Sequence, residues 1–366
     1  MSMTAQYSWL DRFLHRVAFA QIEMQQGLSS LEDRMFAGRI PDTAPERPVF
    51  VTSLPRAGTT LLLETLSGLG DFATHTYRDM PFVLCPMLWN RMSAGFRKTQ
   101  DLRERAHGDG MAVGYDSPEA FEEVAWMAFW EDKYLPDRII PWTAADRNSE
   151  FETFLNAHMR KIVALRADAR GDAESCEDGG TLRYLSKNNA NVARLELLPA
   201  LFPDCRILVP VRAPWGHVRS LHHQHARFLD LHGTDGFGRS YMAWLGHFEF
   251  GATLKPIDFG GWLDRSGPLD PLRDEFWIAY WTNAYEAVLA AAGPNVRFID
   301  YDCLCAEPRS MLEALAEAAD LKDPAPLLAR ADRFRPPTAY APPDGAPVTL
   351  RRATELHAAL TARSIG

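Results

Sequence analysis

Residues 53–60 read SLPRAGTT and follow directly on the apolar run PVFV. A guanidinium, a glycine and two hydroxyls set between a buried strand and a helix are suited to holding a tetrahedral anion. Pro55 and Gly58 permit a tight turn, and the free amides and positive dipole end of the next helix face one point. Arg56 adds a fixed charge able to reach two oxygens, and Thr59 and Thr60 place hydroxyls at the rim. The phosphate-loop pattern G-x-x-x-x-G-K-[ST] is broken twice, with Ser53 for its first glycine and Thr59 for its lysine. An anion site of related geometry and different chemistry is therefore expected. The plainer alternative, a helix cap beside a surface arginine, leaves the Pro-Arg-x-Gly-Thr-Thr cluster after a buried strand unexplained.

Other residues sort into the same task. The run RILVPVR ends in Arg212, and Ser220 lies eight residues on, two turns into the next helix, so the pair converges only on a group beside that helix. Lys187 closes the run TLRYLSK, at the mouth of the expected sheet; a solvated helix-start lysine is its plain alternative. The stretch FATHTYRDMPF offers His75, Tyr77, Arg78 and Asp79. By themselves Arg78 and Asp79 read as a surface pair opening a helix before Pro81. His222, His223 and His225 do not share one helix face as the i, i+4 pair of a zinc helix does, so no metal is expected; His225 is expected to face an acceptor pocket. Glu122 and Glu123 form an exposed helix edge, or Glu123 borders the acceptor site.

The elements that must position these groups follow from pattern. Strands are expected at 48–54, 181–186, 206–212 and 296–301, and helices at 58–69, 118–131, 149–167, 190–202, 214–229, 271–292 and 308–319. Alternation of the two predicts an α/β fold, a mostly parallel sheet covered on both faces. Residues 1–47 are expected as a helical extension and 48–366 as one α/β domain, with loop-like insertions at 168–180 and 324–347. Within the extension, Trp9, Phe13 and Val17, with Leu10 and Leu14 one face over, recur at helical spacing, and a helix over about 8–37 is expected to pack on the core rather than on a membrane. Loops at 77–96 and 237–263, rich in aromatic, Met and Gly residues, are suited to walling an apolar pocket, or to covering the core.

The 366 residues carry a formal charge of −9, which argues against a nucleic-acid binder working by bulk electrostatics. The five cysteines are scattered, without a C-x-x-C pair, and suggest neither a disulfide framework nor a zinc site. With no uncharged stretch long enough to span a bilayer and no continuous apolar leader, a cytoplasmic protein is expected.

Four segments resemble the sulfotransferase family. PRAGTT is similar to the Pro-Arg/Lys-Ser-Gly-Thr-Thr loop that grips the 5′-phosphosulfate of 3′-phosphoadenosine-5′-phosphosulfate. Arg212 and Ser220 match the family's pair for the 3′-phosphate. Lys187 followed by Phe202, Pro203 and Asp204 matches the segment leading to that pair, and VRFIDYDCL resembles the late strand whose tyrosine lies near the adenine, which places Tyr301 there. The resemblance implies a P-loop-like three-layer α/β fold and sulfuryl transfer from this nucleotide, as co-substrate and without a metal, to a hydroxyl or amine. It further implies that Arg56, Ala57, Gly58, Thr59, Thr60, Arg212, Ser220 and Tyr301 bind the donor, with Arg56 and Lys187 stabilising the leaving phosphate. The acceptor is left open as a lipid, a saccharide or another small molecule, as is homo-oligomerisation. Two departures stand out. Ala57 replaces the usual Ser, and Asn189 falls where cytosolic sulfotransferases carry a catalytic His, so the base must come from elsewhere. Tyrosylprotein and related bacterial enzymes use a carboxylate some twenty residues beyond the loop, which points to Asp79 as the first candidate for a general base and His75 as the second. The alternatives are a P-loop kinase using ATP, disfavoured by the missing lysine, and a decayed binding protein of the same fold.

Overall fold

The computed structural model describes Thr4 and residues 7–42, 46–96, 103–104, 112–114, 116–170, 182–336, 338–342 and 347–366. Its centre is a parallel sheet of five strands, β1 (Val49–Val51), β2 (Phe72–Ala73), β5 (Arg183–Lys187), β6 (Arg206–Val211) and β7 (Val296–Asp300), in the order β2-β5-β1-β6-β7. A two-stranded antiparallel hairpin, β3 (Arg103–Glu104) and β4 (Ala112–Val113), stands apart from it.

Side-chain alternation along the strands creates the layers. Phe50, Tyr184, Ile207, Val209 and Phe298 point into one buried cluster, while Val49, Val51, Leu185, Leu208 and Ile299 point into the other. The second face is covered by helices Thr59–Ser67 and Pro308–Ala318, through Leu62, Leu66, Leu312 and Leu315. The first is covered by a larger set that includes Glu122–Phe129, Ser149–Arg170, Pro214–Thr234, Asp274–Ala291 and Pro347–Thr361. The result is the expected three-layer α/β arrangement with a parallel sheet.

Three elements differ from the sequence expectation. The helix over 8–37 is two helices, Trp9–Ala20 and Ile22–Met35, broken at Gln21, and Gln25 Nε2 donates to the Ala18 carbonyl at 2.9 Å across the break. The helix at 190–202 is a 3₁₀ turn, Asn189–Ala193, and a short helix, Leu197–Leu201; Asn188 caps the turn by accepting from the Ala190 amide at 3.0 Å. The first helix does not bury its apolar stripe. Its buried residues are His15 and Ala18, while Trp9, Phe13 and Val17 are 72%, 55% and 38% exposed. The expected insertion at 168–180 falls largely outside the described residues.

Candidate active site

The parallel register sets three strand ends side by side. Val51 pairs with Lys187 on one flank and Leu208 on the other, and Val211 pairs with Asp300 on the next strand. The loop after β1, the end of β5, Arg212 after β6 and Tyr301 after β7 are thus neighbours. This is the edge of an α/β sheet where ligands bind.

Within the loop, Gly58 is the N-cap of helix Thr59–Ser67 with φ of 97°, and a β-carbon there would lie 2.2 Å from Tyr301 Cε2. Only glycine suits both the backbone and the closeness of the tyrosine ring. Arg56 also has positive φ, 71°, a conformation that non-glycine residues seldom adopt and that concentrates at functional sites. Its Nε lies 3.3 Å from Ser220 Oγ, and Arg212 Nη1 donates to the Arg56 carbonyl at 3.2 Å. Arg56, Arg212 and Ser220, distant in sequence, form one constellation. Asp302 accepts from the Ala213 amide at 2.7 Å and ties the β7 end to the start of the helix bearing Ser220. Ala57 is fully buried, Thr59 is buried and Thr60 half-buried.

Two supports of the loop come to light only in the structure: from sequence Ser53 reads as a departure from the phosphate-loop glycine, and His217 is not singled out. Ser53 Oγ donates to the Pro210 carbonyl at 2.7 Å, joining the loop to β6. His217, fully buried, accepts from Trp281 Nε1 at Nδ1 and donates from Nε2 to the Pro55 carbonyl at 2.8 Å. Burial, helped by the charges of Arg212 and Arg56, holds its pKa at about 3 against the contribution of the Pro55 bond. A neutral ring therefore pins the loop. The signal in sequence was a His one helical turn before Ser220 on a face with apolar neighbours, which by itself reads as core.

Beside the loop opens a cavity whose apolar wall includes Leu54, Ile139, Phe248, Leu254, Ile257 and Tyr280. Its polar lining includes Lys187, Asn189, Glu123, His247, Glu249 and Lys255. Asn189 joins cavity to loop: its Oδ1 accepts from Thr59 Oγ1 at 3.1 Å, and its Nδ2 donates to Glu249 Oε1 at 2.9 Å. The other carboxylate oxygen of Glu249 lies 3.6 Å from His247 Nδ1. Burial alone would raise the pKa of Glu249, but the bond and charge of His247, the charge of Lys187 and the Asn189 amide bring it to about 2. Glu249 is a fixed anion that holds the His247 ring.

Other expected residues lie differently. Asp79 is buried and committed: Arg166 Nη2 reaches its Oδ2 at 2.5 Å, the Thr76 amide at 2.9 Å and His75 Nδ1 at 3.2 Å. Burial would raise its pKa, but the Arg166 charge, with the bond and charge of His75, holds it well below the usual carboxylate range. His75 stacks on buried His158, with its Nε2 3.1 Å from the second ring's Nε2. Neither Asp79 nor His75 lines the cavity. The surface ion pair is made instead by Arg78 with Asp116. Glu122 and Glu123 are not an exposed edge but buried acceptors. Glu122 takes bonds from Trp126, Tyr184 and Asn191, and Glu123 takes Arg194 and Asn188 while also bordering the cavity. His225 faces away from the cavity, accepting from the Gly251 amide at 3.1 Å beside Trp277, and His222 pairs with Asp274. Among the described residues no group of three His, Cys, Asp or Glu is placed to hold a metal ion. Of the two expected pocket loops, 237–263 contributes to the cavity and 77–96 does not.

At one edge of the parallel sheet stand an arginine-bearing turn at a helix start and a second arginine at the neighbouring strand end. The chain belongs to the sulfotransferase family, whose model matches residues 48–249, more than half of its length. It is a transferase. No curated protein sequence matches it. Among solved structures it is similar to the sulfotransferase STF1 of Mycobacterium tuberculosis H37Rv, at 14% identity over 91% of this chain and 82% of that one, with a TM-score of 0.44. It is similar to STF9 of Mycobacterium avium at 14% identity over 91% and 80%, with a TM-score of 0.48. The sulfotransferase domain of the Synechococcus PCC 7002 olefin synthase aligns at 15% identity over 87% and 97%, with a TM-score of 0.37. Among the described residues no helix is long and apolar enough to cross a membrane.

Proposed function

We propose that the chain transfers a sulfuryl group from 3′-phosphoadenosine-5′-phosphosulfate to a hydroxyl of a small-molecule or lipid acceptor. The observation that carries this reading is the convergence of Arg56, Arg212 and Ser220 around the helix starts that follow β1 and β6, with Tyr301 against Gly58. Two guanidinium groups there match a donor that carries two separated phosphates.

In this reading Arg212 and Ser220 bind the 3′-phosphate, Tyr301 borders the adenine, and the turn Arg56–Thr60 holds the 5′-phosphosulfate. The acceptor oxygen attacks sulfur in line, the bond from sulfur to the 5′-phosphate oxygen breaks, and adenosine 3′,5′-bisphosphate leaves with the electron pair. Lys187 and Arg56 stabilise the charge growing on that phosphate, work that needs correct placement and a preorganised cation. The acceptor's proton goes to His247, oriented by Glu249. Asp79 does not serve, because a carboxylate held by a guanidinium, an imidazole and an amide has little affinity for a proton.

The test is thermal stabilisation of the purified chain by adenosine 3′,5′-bisphosphate, with ADP and magnesium as the control. Stabilisation by the bisphosphate, lost in an Arg212→Ala, Ser220→Ala double variant, is expected. Equal stabilisation by ADP would sink the reading in favour of a kinase.

A further inference from the structure

Helix Trp9–Ala20 turns its apolar residues away from the protein. Trp9, Phe13 and Val17 follow at four-residue steps, Leu10 flanks them, and their exposures are 72%, 55%, 38% and 49%. At 100° per residue, Arg12 and Arg16 fall along one edge of this stripe, three residues after Trp9 and Phe13 respectively. Asp11, the helix's acidic residue, is occupied at the other side in a capping box with Ser8. The inner face is well seated. Phe19 stacks on Trp244 with ring centroids 5.7 Å apart, His15 packs against Tyr241, and Tyr7 Oη donates to Tyr241 Oη at 3.1 Å. The exposed stripe is therefore the outer side of a docked element and not a frayed end.

We propose that this face is a docking surface for an anionic bilayer. An amphipathic helix with aromatic and aliphatic residues on one face and arginines at its margin lies in the headgroup plane, its apolar side among acyl chains and its cations on lipid phosphates. It is too short and too charged to cross the membrane. The charge complementarity is local, since the chain as a whole carries −9, so the arginines must sit at the contact itself. The helix that receives it, Gly236–Trp244, runs on into Gly246–Glu249, which lines the candidate acceptor cavity. Membrane seating would thus hold the acceptor site near lipid. That consequence rests on the sulfuryl-transfer reading; the docking itself does not.

The experiment is co-sedimentation of the full chain with vesicles of equal parts phosphatidylcholine and phosphatidylglycerol, against vesicles of phosphatidylcholine alone. The chain is expected to pellet with the anionic vesicles, and both Trp9→Ser, Phe13→Ser and Arg12→Gln, Arg16→Gln double variants to bind at least about tenfold more weakly with unchanged Tm. Raised salt should weaken the wild type. Failure to pellet with anionic vesicles, or wild-type pelleting of the Trp9→Ser, Phe13→Ser variant, overturns the proposal. So does a dimer in light scattering that the same serine substitutions disperse, which would make the stripe an interface between copies. Bisphosphate-induced stabilisation is measured on the same preparations: its absence with vesicle binding intact counts against the donor reading alone.

Discussion

His217 gives a prediction whose size follows from the structure. Its neutral ring satisfies the indole of Trp281 and the carbonyl of Pro55 at once, in a fully buried position. Its folded pKa of about 3 lies below the roughly 6.5 of an unfolded histidine. Between those values the unfolded chain binds the extra proton, so stability rises with pH: the contribution is complete above about pH 6.5 and lost as pH falls toward 3. At about 1.4 kcal/mol per unit, moving from about pH 7.5 to about pH 4.5 costs the wild type roughly 3 kcal/mol through this one residue. His217→Ala leaves two buried polar groups unpaired and should cost roughly 3 kcal/mol or more near pH 7.5. Urea unfolding of both proteins at the two pH values reads the difference, and the gap should shrink by about 3 kcal/mol at the lower pH. A gap that stays constant would falsify the neutral buried ring. Under the proposed function Pro55 belongs to the donor loop, and the variant should also bind adenosine 3′,5′-bisphosphate more weakly at pH 7.5 than its stability loss alone explains.

Further outcomes follow from the same geometry. Arg212→Ala should weaken bisphosphate binding by roughly tenfold to a hundredfold, the worth of a charge-assisted hydrogen bond, as read by calorimetry. Gly58→Ala, with φ of 97° and Tyr301 2.2 Å from the new carbon, should lose donor binding and about 1–3 kcal/mol of stability in denaturant titration. His247→Gln should lower turnover about a hundredfold or more while bisphosphate affinity holds; an unchanged rate removes His247 as base. Asp79→Asn breaks a buried pair with Arg166 and should cost roughly 3–5 kcal/mol of stability with donor binding retained. A stable Asp79→Asn protein without turnover would return the base to Asp79.

What was legible in the sequence was local. β1, β5, β6 and β7 are short apolar runs with turn residues at their ends, and each motif residue keeps its place relative to its own strand, so the grouping of Arg56, Arg212 and Ser220 could be assembled from sequence order. β2 was not legible because two residues, Phe72 and Ala73, carry no periodicity; β5 creates the strand by pairing with it. Glu122 and Glu123 read as surface because charge usually stays in water, and what overrides that is Arg194 and four other polar partners arriving from other elements, Tyr134, Tyr184, Asn188 and Asn191. His247 and Glu249 were invisible for a related reason. Glu249 owes its place to contact with Asn189, 60 residues earlier, and His247 to Glu249, and no spacing rule links the two segments. In helix Trp9–Ala20 the apolar period was read correctly and the direction it faces was not, because periodicity locates a stripe without naming what lies opposite.

Asn189 is the position where the resemblance puts a catalytic histidine, and its contacts give the departure a physical sense. A neutral imidazole has one donor and one acceptor nitrogen on opposite sides of a rigid ring, whereas a carboxamide offers both from one end of a short chain. At this position the acceptor side takes the hydroxyl of Thr59 in the turn after β1, and the donor side fixes Glu249 of the cavity wall. The amide gives up proton chemistry and becomes a strut between the two half-sites. That exchange is workable because Lys187, two residues earlier at the end of β5, stays beside β1 whatever residue 189 is, its place being set by the pairing of Val51 with Lys187. The strand order β5-β1-β6 then brings Lys187, Arg56 and Arg212 to one edge of a chain that is otherwise acidic. A protein of net charge −9 repels a polyanion at long range, so under the proposed function capture of the donor would depend on these three cations acting within a Debye length, about 8 Å at physiological salt. Donor affinity should therefore respond far more to each of them than to any change of charge elsewhere on the surface.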